Sequence, residues 1–418
     1  MIKIPRIIVF FPFSSILVAL KTIFTGKIKD GKSIEDFEEA FKKFINVKYA
    51  ISVSCGKIGL YLSLKAQGAE EGDEIILPSY TVWDVPAVII AMGMKPVFVD
   101  ISANDYNLDV KLIKKAITGK TKFILATHLY GIPCDMDSIL KIAQEYNLRV
   151  IEDCAQSLGA EYKNQKAGII GDVAYFSFGI LKNLNTLGGG MVVTNNFLIA
   201  KTIREEVETF SYPKKRYLLK TFLISSLLSL FTSPIFFSIF VFPLMRIFAG
   251  PINKTVAFFL SNKPPLKITE NFLSKYKYKF TNLQAVIGLG QLKNLAVLND
   301  IRVKNALRLE SILKDTNKIS IPNITDYTRP IYLNYVVQVP ENKRQEIIKK
   351  LAVAGIDITF GFLDACADME EFGKFKTDCP ISRRIKKANL YIPVQPPLRE
   401  KHMEYIANNI KEILKTIG

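Results

Sequence analysis

Between residues 49 and 194 the chain alternates short β-branched runs with stretches of helical periodicity, and this alternation limits the fold more than any other feature. The strand candidates are 50–54, 74–77, 96–100, 123–127, 149–152, 173–178 and 191–194. Helical stretches at 58–66, 85–92, 110–116 and 136–145 lie between most of them. Strands joined through helices pair in parallel, and the resulting sheet is covered on both faces. In such a sheet the loops leaving the carboxyl ends of the strands hold the ligand. That rule puts His128, Asp153 and the loop after Phe178 on one rim.

A length of 418 residues with 49% hydrophobic residues suits one large α/β domain and a smaller one. Residues 34–46 read as an amphipathic helix with Phe37, Ala40, Phe41 and Phe44 on one face. A helix is expected from 281 to 313, and a second α/β unit follows, with a strand at 333–339 and helices at 343–354 and 400–417. The divisions expected are an apolar arm at 1–30, a large domain at 31–210, an apolar helical insertion at 211–262, a long helix and connection at 263–325, and a small C-terminal α/β domain at 326–418.

Two apolar segments stand outside this pattern. Residues 7–20 follow Lys3 and Arg6 but lead to no small-residue cleavage site, and they are short for a span. They read as an arm that packs on the protein or dips into a membrane surface. Between Lys220 and Arg246 lie 25 residues without a charge. Pro234 and Pro243 interrupt them, Ser225, Ser226, Ser229 and Ser233 dilute them, and Lys214, Lys215, Arg216 and Lys220 precede them. A basic flank before an apolar stretch suits an anionic membrane face; a buried hairpin or an oligomer contact accounts for it equally. A broken, re-entrant hairpin fits better than a true span.

The formal charge of +17 admits nucleic acid, an anionic membrane or phosphorylated small molecules as partners. The basic residues are scattered and no nucleic-acid-binding signature is present, so nucleic acid is not expected. Five well-separated cysteines without a CxxC pair, and only two histidines, point away from disulfides and metal and toward a reducing cytoplasm.

The chemistry lies in Val150-Ile-Glu-Asp-Cys-Ala-Gln156, Phe176-Ser-Phe-Gly-Ile-Leu-Lys182 and Gly188-Gly-Gly190. These supply the parts of a pyridoxal 5'-phosphate (PLP) site. A carboxylate at a strand end, Asp153, can keep a pyridinium nitrogen protonated. Gln156 can bond the ring oxygen, Ser177 the phosphate, and Lys182 can form the Schiff base. Glycines permit close approach. Each piece alone is commonplace: a loop lysine is usually solvated, and a strand-end Asp is often a helix cap.

Together the motifs resemble the DegT/StrS family of PLP-dependent sugar aminotransferases, from about residue 30 to the C-terminus without the insertion. Supporting stretches are Gly72-Asp-Glu-Ile-Ile-Leu-Pro-Ser-Tyr-Thr81, Lys95-Pro-Val-Phe-Val-Asp100, His128-Leu-Tyr-Gly-Ile-Pro133 and Phe280-Thr-Asn-Leu-Gln284 with its continuation to Leu292. The resemblance implies a fold-type-I PLP-transferase: a large, mainly parallel seven-stranded sheet sandwiched by helices, plus a smaller α/β domain. It makes Lys182 the Schiff-base lysine and proton shuttle, Asp153 the pyridinium partner, Gln156 a ring-oxygen contact and Ser177 a phosphate contact. It implies an amino-acid donor, by family habit glutamate, a keto-sugar acceptor on a nucleotide or lipid carrier, and a homodimer with a shared site. The expected place is the cytoplasm, including the inner face of its membrane.

The departures cluster around the phosphate. Gly56-Lys57 stands where the family has glycine and a hydroxyl residue, though a helix N-terminus still suits phosphate. Val82 takes the usual ring-stacking position with Trp83 next to it, and Trp83 is either the stacking ring or plain core. Lys277 stands where the family has an asparagine given by the neighbouring subunit, and Gly188 replaces a glutamate. A sugar dehydratase would carry histidine in place of Lys182. A membrane-associated scaffold that binds PLP without turnover is the alternative of a different class. His128 either lines the site or is a neutral histidine bonded at a strand end.

Overall fold

The computed structural model describes residues 2–247, 265 and 268–417. Its centre is a seven-stranded sheet: β1 Tyr49–Val53, β2 Glu74–Pro78, β3 Lys95–Val99, β4 Thr121–Thr127, β5 Arg149–Asp153, β6 Val173–Ser177 and β7 Gly190–Thr194. The order is β1-β7-β6-β5-β4-β2-β3. Neighbours from β6 through β3 pair in parallel, and β7 runs antiparallel to both β1 and β6. The sequence places all seven strands, and the ends differ by one or two residues.

Period-two burial shows why these runs form strands. Ile75, Leu77, Phe123, Leu125 and Ile151 enter one apolar cluster, with Ile58, Leu62 and Val88 of the helices Gly56–Ala66 and Asp84–Ala91. Ile76, Ile124, Ala126 and Val150 point the other way, onto Ile139 and Ile142 of the helix Met136–Glu145. Both faces are therefore dry, as a parallel sheet requires. The amphipathic helix Ser33–Ile45 covers the β1, β6 and β7 end of that second face through Phe37 and Phe41.

The smaller unit pairs β8 Tyr335–Gln338 antiparallel with β9 Asn389–Ile392. The helices Leu295–Leu313, Arg344–Val353 and Glu400–Thr416 pack around this pair, sharing a core of Leu309, Ile347, Leu351, Met403 and Ile406. Buried tyrosines join the two units: Tyr130 Oη donates to Tyr80 Oη at 3.0 Å and lies 2.8 Å from Tyr391 Oη, and Asn389 donates to Tyr80.

Three expectations need correction. The single helix expected over 281–313 is two, Asn282–Leu292 and Leu295–Leu313. Asn294 sits at φ −106°, ψ 0°, because the first helix packs on Ser33–Ile45 and the second on Glu400–Thr416. The N-terminal arm is partly helical, over Phe13–Phe24. The strand expected at 333–339 is confined to β8. The insertion begins as the helix Lys215–Phe231, bends by 62° and continues over Pro234–Ile247. Its expected part at 248–262 lies outside the described residues. No single helix among the described residues is long and apolar enough to cross a membrane.

Candidate active site

The carboxyl rim of the sheet gathers the candidate residues. Asp153 ends β5, Ser177 ends β6, and Lys182 follows in the β6–β7 loop. That loop is staked from inside: Phe178 N–H donates to Gly189 O at 2.8 Å, and Lys182 N–H to Gly179 O at 2.9 Å. Beside the lysine, buried Asn183 donates to Leu158 O (2.9 Å) and to Asn299 Oδ1 (3.2 Å). Gln291 accepts from Asn185 N–H at 3.0 Å. Gly188 and Gly189 hold φ of +97° and +107°, a region L side chains rarely adopt.

Burial, with a smaller push from the Lys57 charge and against the opposing pull of Asp153 and Asp84, brings the Lys182 ammonium down to about 8. No ion pair to Lys182 or to Asp153 forms among the described residues. Asp153 is itself pushed up by burial, against the Ala155 N–H that donates to Oδ1 at 3.0 Å and the pull of Lys182. Tyr175 is buried beside it, with its hydroxyl turned toward the Asp153 carboxyl, which it helps to hold down.

Gly56 opens the helix Gly56–Ala66 and abuts β6: a Cβ there would sit 3.1 Å from Ser177 Cβ. A Cβ on Gly179 would lie 3.9 Å from both Lys182 Cγ and Ser177 Oγ. Helix N-terminus, Ser177 and Lys182 therefore share one cradle. Lys57 Nζ reaches Asp84 Oδ2 at 2.7 Å and lies 4.7 Å from the Tyr276 ring centre. Burial opposes its charge, yet Asp84 holds Lys57 above the ordinary lysine value. Gln156 Oε1 accepts from Tyr130 N–H at 3.1 Å, which leaves its NH2 as the donor end. Lys277 Nζ donates to Tyr61 Oη of its own chain at 3.1 Å.

Trp83 is half-buried at the edge of the core, its ring centre 6.1 Å from that of Phe272. His128 is also structural. Its Nδ1 accepts from Cys134 N–H at 3.0 Å, so the ring proton sits on Nε2, 3.0 Å from Glu152 Oε2. Glu152 also accepts from Gly168, Ile170 and Gly171 N–H groups. The donor atoms of His128, Glu152 and Cys154 stand within 4.8 Å of one another, but the His and Glu atoms are already committed to these bonds.

Sequence reasoning passed over Asn183, Gln291, Asn299 and Asp84. Asn183 follows Lys182 directly, and this adjacency was the available signal; the other three meet the site only through the fold.

The geometry suits PLP: a half-buried lysine without a counter-ion, a buried carboxyl without a cation, and a glycine-lined cradle at a helix N-terminus. The model of the DegT/DnrJ/EryC1/StrS aminotransferase family matches residues 15–222 and 260–411. Spore coat polysaccharide biosynthesis protein SpsC of Bacillus subtilis is 29% identical, over 94% of this chain and 93% of its own length. GDP-perosamine synthase of Caulobacter vibrioides is 31% identical, over 78% of this chain and 75% of its own. Among solved structures, an aminotransferase from Psychrobacter cryohalolentis matches with TM-score 0.77 over 98% of both chains at 23% identity, a likeness of fold. The chain belongs to the DegT/DnrJ/EryC1/StrS aminotransferase family, whose enzymes depend on PLP.

Proposed function

We propose that this enzyme moves an amino group from an amino acid, glutamate in the first instance, to a keto-sugar carried on a nucleotide or a lipid. The observation that carries the reading is Lys182, half-buried, without an ion-pair partner and lowered to about 8, on the same rim as Asp153. Relatives named for perosamine synthesis and for spore coat polysaccharide support a sugar acceptor.

PLP, when bound, supplies the electron sink that lets an amine pass between carbon skeletons. Asp153 would hold the proton on the ring nitrogen, and the cation it gains there would bring its own raised carboxyl back down. The N–H groups opening Gly56–Ala66 and the Ser177 hydroxyl would bind the phosphate. Lys57 adds a charge nearby, in place of the hydroxyl usual at that position. The Gln156 NH2 would donate to the ring oxygen. Lys182 Nζ, neutral above about pH 8, would take the proton from the donor's reacting carbon and pass it to the cofactor, and in the second half would carry a proton the other way, onto the acceptor's carbon. The staked loop through Asn183 and Asn185 keeps Nζ in place between the two halves.

A homodimer with a shared site fits Lys277, which stands at the family's cross-subunit position. The five free cysteines suit a reducing cytoplasm. Reconstitution of the apoprotein with PLP tests the reading: a visible absorbance band that glutamate bleaches supports it, and a protein that takes up no PLP rules it out.

A further inference from the structure

We propose that the N-terminal arm and the insertion form one surface that docks on an anionic lipid bilayer. The helix Lys215–Phe231 is apolar nearly all round, yet it buries only one narrow face. Leu218 and Ser225 are covered, and Phe222 packs on Phe11 with ring centres 6.2 Å apart. The opposite side presents Leu219, Leu223, Leu227, Leu230 and Phe231, all 40% or more exposed. Beyond the 62° bend, Ile235, Ile239, Phe240, Leu244 and Ile247 are 50–73% exposed. A helix apolar on every side belongs in a core or in lipid, and contiguous exposed apolar surface on this scale marks a contact face.

The arm holds this element to the body of the protein. Ile4 pairs beside Ile356, and Arg6 Nη2 bonds Asp357 Oδ1 at 2.6 Å. Farther along, Val9 N–H donates to Thr232 Oγ1 (3.0 Å) and Ser229 Oγ donates to Phe11 O (3.1 Å). Lys3 N–H donates to Ser238 Oγ at 2.6 Å. The arm then enters the helix Phe13–Phe24, whose Phe13, Leu17 and Phe24 are 71%, 52% and 86% exposed.

Charge selects lipid over a second apolar protein face. Residues 1–29 contain five cations and no acid, and residues 209–247 contain five cations and no acid. Lys21, Lys27 and Lys29 in the first stretch and Lys214, Lys215, Arg216 and Lys220 in the second flank the apolar residues, the arrangement that an anionic headgroup layer over an acyl core would match. The bend favours a dip into one leaflet: the two legs of 17 and 14 residues are about 25 Å and 21 Å long at 1.5 Å per residue. Docking would bring lipid close to the active site, because Tyr217 in the first turn lies 6.0 Å, ring to ring, from Tyr278, near Tyr276 and Lys57.

Flotation of the full-length, PLP-loaded enzyme with vesicles tests the docking. One set is pure phosphatidylcholine, and the other contains phosphatidylglycerol. We expect co-flotation with the anionic set, weakened by salt. Each of Lys214→Ala, Lys215→Ala and Lys220→Ala should lower the partition about fivefold. A Leu223→Glu, Leu227→Glu variant should abolish flotation while keeping the cofactor absorbance and the helical circular dichroism. If that variant fails to fold, Ile239→Glu with Leu244→Glu on the far leg serves the same purpose. Absence of flotation with either vesicle set overturns the proposal. So does a lipid-independent oligomer larger than a dimer that Leu223→Glu breaks apart, since the patch would then seat further copies of this chain. The catalytic assignment rests on Lys182 and Asp153, so failure here leaves it standing.

Discussion

Lys182 carries the clearest consequence at the scale of single residues. Its folded value of about 8 lies below the ordinary 10.5, chiefly through burial. Between those values the folded lysine is neutral and the unfolded one is charged, so unfolding binds a proton and stability rises with pH. The penalty is complete below about pH 8 and relieved toward 10.5. The same titration governs reactivity: the rate at which apoprotein captures PLP should climb to a plateau with a midpoint near pH 8, as stopped-flow absorbance would record. A midpoint near 10.5 would show that the lysine is solvated. Lys57→Met removes a charge that lowers Lys182, and it should move that midpoint upward. Gly56→Ala places a methyl 3.1 Å from Ser177 Cβ at the edge of the cradle. It should weaken PLP binding by ~1–3 kcal/mol in a fluorescence titration. The common rim of Asp153, Ser177 and Lys182 was legible because strand ends can be read from the sequence, while the roles assigned to them came from the family resemblance. Asn299 and Gln291 were not, because they reach the loop from a part of the chain more than 100 residues away. Trp83 could not be assigned from sequence, since stacking and core packing demand the same flat ring.

At the scale of elements, the helix Gly56–Ala66 must lie flat on β6. A Cβ on Gly59 would come within 2.9 Å of Tyr175 Cβ, a backbone-proximal atom that cannot swing away. Gly59→Ala should therefore cost ~1–3 kcal/mol despite alanine's better helix propensity, read as a lower denaturation midpoint in urea. The strands were legible because each alternates between two buried faces and ends at a turn. The break at Lys293–Asn294 was not, because periodicity continues through it and the two halves part only to meet different neighbours. The helix Phe13–Phe24 escaped notice for a related reason: its apolar residues run nearly continuously, and a run without period does not distinguish arm from helix.

For the whole molecule, the buried tyrosines join the two units together with the short strand pair Tyr80–Thr81 and Asp364–Ala365 and with Asp100, which accepts from Ile381 and Ser382, rather than through one continuous sheet. Tyr130 bonds Tyr80 and Tyr391 at once, all three fully buried among apolar neighbours. Tyr130→Phe should cost ~1–3 kcal/mol, because it leaves two buried hydroxyls short of a partner. Differential scanning calorimetry would show the loss, and a single cooperative transition would show that the units still unfold together. No sequence pattern announces this junction, since Tyr80, Tyr130 and Tyr391 lie far apart in the chain, whereas the division into a large and a small α/β unit follows from the strand pattern alone. The central claim, an aminotransferase built around Lys182, is tested most directly by the absorbance spectrum of the purified enzyme before and after glutamate, beside Lys182→Ala. The account predicts a visible PLP band that glutamate converts to the amine form of the cofactor and that the variant cannot cycle. A band unmoved by glutamate or any other amino-acid donor, or a variant that cycles like the parent, would contradict it.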